Sequence, residues 1–213
     1  MAWFFKSSFF WVCLVTVIFS QTNSMSTDSS NRANSSAAST DTSKREVAFL
    51  GLPIGGSADA FAAKLENKGF HKVEIKENIT ELKGMFLDNM CEIWIICTPI
   101  TKVVWKVAVT FPEQTSWYSL KASFQERCGN LTAKYGQPHD TYEFFSEPYQ
   151  EGDGYEMQAL ENEKCIYAYD WNIKNGTISC EIAKGGYIRI AYENDANAAI
   201  DDKEKAQKAQ EQL

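Results

Sequence analysis

One pattern occurs twice in this chain of 213 residues: an amphipathic helix closed by a glycine, then a run of alternating, strand-like segments. The first helix is predicted over residues 58–68 and the second over Trp117–Tyr135. A helical stripe and a strand face each need an apolar partner layer, so the repetition constrains the chain to helices laid on a sheet. The predicted fold class is α+β: two tandem helix-plus-four-strand repeats forming antiparallel sheet with helices packed on one face. Such a layer holds a partner more often than it houses a catalytic centre.

The first helix has defined ends. Ser57 is a favourable N-cap, Asp59 lies in the first turn where the helix dipole favours an acid, and Gly69 follows the last turn. Phe61, Ala62 and Leu65 make its apolar face, and Phe70 is placed to fold back on it. Strands follow at 72–76, 79–87, 91–97 and 103–111. In the third, Glu92 argues that Cys91, Ile93, Ile95 and Cys97 face inward, which turns Trp94 and Ile96 outward. In the fourth, Val103, Trp105, Val107, Val109 and Phe111 share one face, with Lys106 and Thr110 on the other.

The second half repeats the order. Thr115 or Ser116 caps a helix whose apolar residues Trp117, Leu120, Phe124, Cys128, Leu131 and Tyr135 form one stripe, ended by Gly136 and Pro138. Strands are expected at 141–145 and Glu156–Glu161, then three more to the end of the domain. Asn175-Gly176 predicts a type I′ hairpin, which requires positive φ at both positions. That turn sets Ile173 against Ile178, Trp171 against Cys180 and Tyr169 against Ile182. Asp170, Asn172 and Lys174 then share the outer face with Thr177, Ser179 and Glu181. A turn at Lys184-Gly185-Gly186 leads to Ile188, Ile190 and Tyr192 on the inner face.

The N-terminal residues read as an export signal. Lys6 is followed by eleven mostly apolar residues, 9–19, and then by small polar ones. Such a run is too short to span a bilayer, which needs roughly 20 residues, and fits a cleavable signal ending after Ser20 or Ser24. Residues 1–24 are therefore read as a signal peptide and 25–46 as a linker with ten Ser or Thr among twenty-two positions. A single domain is expected over 47–195, with repeat one at 47–112, repeat two at 113–195, and a charged tail at 196–213 that is either a solvated helix or frayed. The expected location is periplasmic or extracellular, without stable membrane insertion once the signal is removed.

Of 21 basic and 28 acidic residues only Lys6 falls in the signal, so the mature chain carries 20 against 28, a net charge of −8. Nucleic acid is disfavoured, because neutralising phosphates needs clustered Lys and Arg. Five of the six cysteines lie beyond the signal, at Cys91, Cys97, Cys128, Cys165 and Cys180. An odd count on apolar faces reads as buried free thiols with at most one or two disulfides. Cys91 and Cys97, roughly 20 Å apart on one strand, cannot bridge each other.

Motifs for chemistry are sparse. His71 and His139 are the only histidines, no metal-ligand spacing occurs, and no cofactor is expected. Gly51 and Gly55-Gly56-Ser57 have part of a phosphate-loop spacing, but Ser57 stands where the lysine belongs, so a turn and helix cap is the plainer reading. Residues 143–163 hold seven acids and no basic residue, centred on Glu151-Gly152-Asp153-Gly154 before Tyr155. They fit a calcium loop only loosely and are read as a solvated loop or a surface for a basic partner. The partner-binding candidates are accordingly Trp94, Ile96, Glu151, Asp153 and Tyr155; no catalytic or metal residue is assigned.

The run Phe49-Leu50-Gly51-Leu52-Pro53-Ile54-Gly55-Gly56-Ser57 and the helix end Lys68-Gly69-Phe70 resemble the opening of small exported proteins of unknown function common in gut Bacteroidetes. Residues 107–112 with Trp117, and Lys134-Tyr135-Gly136-Gln137-Pro138, are similar to that family's middle. The family is often lipidated, but this chain lacks the lipid-accepting cysteine. The repeated order is also similar to the β-lactamase-inhibitor-protein-like arrangement and, more distantly, to small outer-membrane assembly lipoproteins. Those resemblances imply action by binding proteins and supply no catalytic residues.

The expected function is that of an exported, non-enzymatic protein that presents a sheet face or loops to an unknown protein or envelope component. The alternatives are a hydrolase-like site near His139, Asp140 and the acidic loop, and a carbohydrate-binding module using Trp94.

Overall fold

The computed structural model describes residues 45–211; the segment read as a signal peptide and most of the linker lie outside them. In chain order the elements are β1 (Ala48–Phe49), β2 (Leu52–Pro53), α1 (Ala58–Glu66), β3 (His71–Lys76), β4 (Ile79–Phe86), β5 (Asn89–Cys97) and β6 (Val104–Thr110). There follow α2 (Trp117–Tyr135), β7 (Asp140–Phe145), α3 (Glu156–Glu161), β8 (Cys165–Ile173), β9 (Gly176–Ala183), β10 (Tyr187–Asn194) and α4 (Asp195–Gln210). β3 to β10 form one eight-stranded sheet in the order β3-β4-β5-β6-β10-β9-β8-β7, antiparallel throughout, and β1 and β2 pair separately. The fold class is mixed α+β with an antiparallel sheet.

The core lies on one face of that sheet. Leu82, Ile93, Ile95, Val107, Val109, Ile178, Ile188 and Ile190 point toward Phe61 and Leu65 of α1, Leu120, Phe124 and Leu131 of α2, and Leu160 of α3. Each such side chain contributes about 1.5–3 kcal/mol on burial, so the α2 stripe anchors that helix more firmly than its propensity could. α1 ends as its residues dictate: the Ser57 hydroxyl accepts the Ala60 amide at 3.4 Å, and the Phe70 amide donates to Leu65 at 3.2 Å. Gly84 on β4 leaves room for the Phe70 ring, since a Cβ there would lie 2.5 Å from it.

Three local expectations are corrected. Glu156–Glu161 is a helix, not a strand. Glu, Met, Gln, Ala and Leu all favour helix, and burying both Ala159 and Leu160, adjacent in sequence, breaks the strict alternation of a strand. Trp105 does not share the inner face of β6. The register shifts where Ile96 and Cys97 of β5 meet β6, so Val104 enters the core and Trp105 lies outside it, with the Lys205 ammonium 5.5 Å from its ring centre.

The third correction is the hairpin register. Ile173 lies opposite Gly176, Trp171 opposite Ile178 and Tyr169 opposite Cys180, so the loop is Lys174-Asn175 and neither residue has positive φ. A two-residue shift keeps every side chain on its expected face, because the side-chain period is two. Asn175 serves a different purpose: its side-chain oxygen accepts the Val47 amide at 2.7 Å and its carbonyl accepts the Asp195 amide at 3.2 Å.

The C-terminal residues form α4, which docks against the central strands β6, β10 and β9. Asn194 caps it by accepting the Asn197 amide at 3.0 Å, and Asn197 donates to the Val104 carbonyl at 2.9 Å. Further along, Glu204 accepts the Ile100 amide at 2.6 Å, the Thr101 amide at 3.1 Å and the Thr101 hydroxyl at 2.5 Å. Burial raises the Glu204 carboxyl, but these hydrogen bonds outweigh it and hold the group below its ordinary value. Among the described residues no helix is long and apolar enough to cross a membrane.

Candidate functional site

β5 alternates cleanly. Cys91, Ile93 and Ile95 enter the core, while Glu92, Trp94 and Ile96 lie on the outer face, the latter two half-buried. Across the sheet Trp94 is flanked by Glu81 of β4 and Ala108 of β6, and the row continues through Ala191, Ser179 and Asp170 to Asp140. The two alanines keep the row low beside the indole. On its other side Trp94 walls a shallow depression with Glu74, Lys76, Ile79 and Glu81. Ile96 lies opposite Ile79, so three apolar side chains adjoin there.

Charge surrounds this patch. Lys76 pairs with Glu74 at 2.7 Å, Lys83 with Glu92 at 2.9 Å, Arg189 with Glu181 at 3.0 Å, and Lys106 with Glu193. Water and salt screen such surface pairs, so they add little to stability. Their effect is to leave Trp94 as the main aromatic contact in a field of balanced charge.

Glu151, Asp153 and Tyr155 lie elsewhere, in the loop between β7 and α3. Glu151 pairs with Lys121 of α2 and accepts the Tyr167 hydroxyl at 3.1 Å. The Lys121 ammonium holds its carboxyl below the usual value, so Glu151 braces the helix against β8. Asp153 accepts the Gln150 amide at 2.9 Å and the Tyr155 amide at 2.7 Å, and Glu156 accepts the Gly152 amide at 2.8 Å. These carboxylates order their own loop, while the Tyr155 side chain is exposed. The loop sits on the helix side and Trp94 on the opposite face; the fold does not bring the two groups of candidates together.

His139 is exposed, 3.8 Å from the Asp140 carboxylate. Asp140 faces Asp170 across β7 and β8, and burial together with that neighbour raises the Asp170 carboxyl. The acidic stretch begins at Glu143, three residues along β7 and about 10 Å from Asp140 at 3.3 Å per residue, and its centre lies in the loop beyond the far end of the strand. The Ser57 hydroxyl is engaged as a helix cap. Among the described residues no three His, Cys, Asp or Glu side chains are grouped to hold a metal. A wider hollow with Lys102, Lys205 and Lys208 opens beside the end of α4, where Lys102 donates to Asn78 at 2.7 Å and Lys205 pairs with Asp201 at 2.5 Å.

The five cysteines from Cys91 to Cys180 are free and buried. Burial pushes the Cys91 thiol to about 11 and the Cys165 thiol to about 12, so both are protonated and unreactive near neutral pH.

A second outer-face patch escapes sequence reasoning. Tyr142, Phe144 and Ile166 are exposed at 42%, 44% and 41%, with Phe144 directly opposite Ile166 at the β7 end of the sheet. The adjacent Phe144 and Phe145 fall on opposite faces, and nothing in that doublet says which one is outside. The alternation of Tyr142, Glu143 and Phe144 points the other way, since an acid ordinarily marks the outer face; here the Glu143 carboxylate lies on the helix side and accepts the Tyr169 hydroxyl at 2.7 Å. No protein-family model, curated protein or solved structure matches the chain.

Proposed function

We propose that the chain is an exported, non-enzymatic binding protein, periplasmic or extracellular, that presents the outer face of its sheet to a partner protein or envelope component. The observation that carries this reading is Trp94, adjoining Ile96 and Ile79 on the face opposite the core-packing helices α1, α2 and α3. An aromatic side chain on a wet sheet face is a favourable anchor for a partner, because it offers large contact area at low entropic cost. Export rests on the short apolar run of residues 9–19 behind Lys6. Membership of the exported gut-Bacteroidetes group is part of the same proposal and rests on the motifs in residues 49–57 and 134–138.

The reading of two tandem repeats draws support from strand order. β3 to β6 and β7 to β10 each run consecutively outward-to-centre, each set follows a helix, nine residues in α1 and nineteen in α2, and β6 meets β10 in the middle, with the short α3 inserted after β7. Function then belongs where the halves differ, and Trp94 lies on only one of them.

Affinity capture from the native envelope tests the reading, with the wild-type chain beside Trp94→Ala and Ile96→Asp. A partner retained by the wild type and depleted at least tenfold by either change is the expected outcome. Equal recovery with all three chains overturns it. The carboxylates of Glu74 and Glu81 beside the indole favour a second reading, a carbohydrate stacked on Trp94; saturable binding on a glycan array, lost in Trp94→Ala, would select it. The hydrolase alternative draws no support from the placement of exposed His139 just before β7 and of Glu151 and Asp153 beyond its far end.

A further inference from the structure

β3 and β7 close the two ends of the eight-stranded sheet, and among the described residues each has one edge without a neighbouring strand. The two edges are guarded differently. β3 loses register between Lys72 and Glu74 and carries Lys72 and Lys76, features that discourage an added strand. β7 pairs with β8 without interruption from Asp140 to Phe145 and contains neither lysine nor proline. Its outer face offers the exposed Tyr142 and Phe144 with Ile166 alongside. Its charges are Asp140 and Glu143, the latter accepting the Tyr169 hydroxyl at 2.7 Å, and exposed Glu147 follows, whereas Glu151 and Glu163 are paired with Lys121 and Lys184.

We propose that the β7 edge accepts an extended segment of a partner protein as an added strand, and that this segment alternates apolar and basic residues. Main-chain hydrogen bonds to an open edge give affinity, and alternate side chains give specificity. Apolar side chains of the incoming strand meet Tyr142 and Phe144 on the outer face. The basic ones fall between them, beside Glu143 on the other face. A second copy is a poorer occupant: two β7 strands bring four carboxylates and no cation to one seam, and like charges facing across strands destabilise the pairing. The inference rests on the reading of the chain as a binding protein, yet it uses a different part of the sheet from Trp94.

The test uses the full chain and an end-blocked ten-residue peptide alternating valine and lysine. Two controls accompany it: the valine–glutamate counterpart, and a valine–lysine peptide N-methylated along one edge so that it cannot pair. Fluorescence anisotropy should show the first peptide binding at least tenfold more tightly than either control, with affinity falling as salt is added. Hydrogen exchange should show new protection at residues 140–145. Phe144→Lys and the volume-neutral Glu143→Gln should each weaken binding, Phe144→Lys at least tenfold, with unchanged circular dichroism. Trp94→Ala should leave binding intact.

Equal binding of all three peptides, protection confined to other strands, or no binding overturns the inference. So does a dimer in sedimentation equilibrium that Phe144→Lys dissolves, which would assign the edge to a second copy. If Trp94→Ala abolishes partner capture while the lysine peptide fails to bind, the sheet-face reading stands and the edge inference falls; the reverse pattern separates them the other way.

Discussion

A Cβ added at Gly176 would sit 1.9 Å from the Glu193 carbonyl oxygen, with Val47 a further 3.1 Å neighbour. The atoms in the way are backbone of the adjoining strand, so relief requires β9 and β10 to separate. Gly129, on the exposed side of α2, presents the opposite case: nothing lies within 4 Å of its added Cβ. The same substitution therefore has opposite signs at the two positions. Gly176→Ala is expected to destabilise the chain by about 1–3 kcal/mol. Gly129→Ala is expected to stabilise it by about 0.5–1 kcal/mol, by removing a helix-interior glycine. Urea midpoints of the two variants against wild type check both signs. A neutral Gly176→Ala would show that the hairpin opens at little cost and that the close approach of β10 is not what requires glycine there.

Among the elements, α4 depends on one carboxylate more than on apolar contact. Its fully or nearly buried residues are Asp201 and Glu204, and Glu204 takes the amides and hydroxyl of the β5–β6 turn. A carboxyl held below its ordinary value stabilises the docked state in full above the ordinary 4.5 and loses that contribution as pH falls through the lowered folded value. Acidification below 4.5 should therefore lower the protection factors of α4 amides, measured against intrinsic exchange at each pH, before those of the sheet fall. Glu204→Gln should show low α4 protection already at neutral pH and little further change across the acid range; an acid response identical to wild type would move the latch to another group. None of this docking is visible in a tail rich in Ala, Lys, Glu and Gln, because a polar helix face reads the same whether it meets water or a turn. The long helix is different, since the spacing of Leu120, Phe124, Cys128 and Leu131 has one physical solution. Trp94 is legible for a similar reason: Glu92 fixes one face of β5, and the period of two does the rest. Where two apolar residues are adjacent, as at Ala159-Leu160 and Phe144-Phe145, periodicity cannot choose. The helix α3 and the outer patch at β7 were hidden there. The shifted hairpin was hidden for another reason, since its register is set by Val47 and Asp195, far away in sequence.

At the scale of the molecule, the buried thiols report whether the two halves open together. Cys91 and Cys97 lie on β5, Cys128 on α2, Cys165 on β8 and Cys180 on β9, where neighbouring Cys128 and burial hold the Cys180 thiol well above its ordinary value. Sheet pairing runs unbroken from one half to the other through β6 and β10, so a local opening of either half must tear that central pair or leave its own thiols covered. Burial favours the neutral thiol, which stabilises the fold fully below the ordinary value of 9.0 and is lost as pH rises through about 11 for Cys91 and about 12 for Cys165. Near neutral pH an aromatic disulfide reagent should consequently find no reactive thiol among these five in the folded chain. In guanidinium all five should react. Between those limits, at intermediate denaturant, the five should be modified with one shared rate that tracks loss of circular dichroism, because each is exposed by the same global event. A fast phase confined to Cys91 and Cys97, located by peptide mapping, would show that the β3–β6 half opens alone and that the central β6–β10 pairing does not couple the sheet.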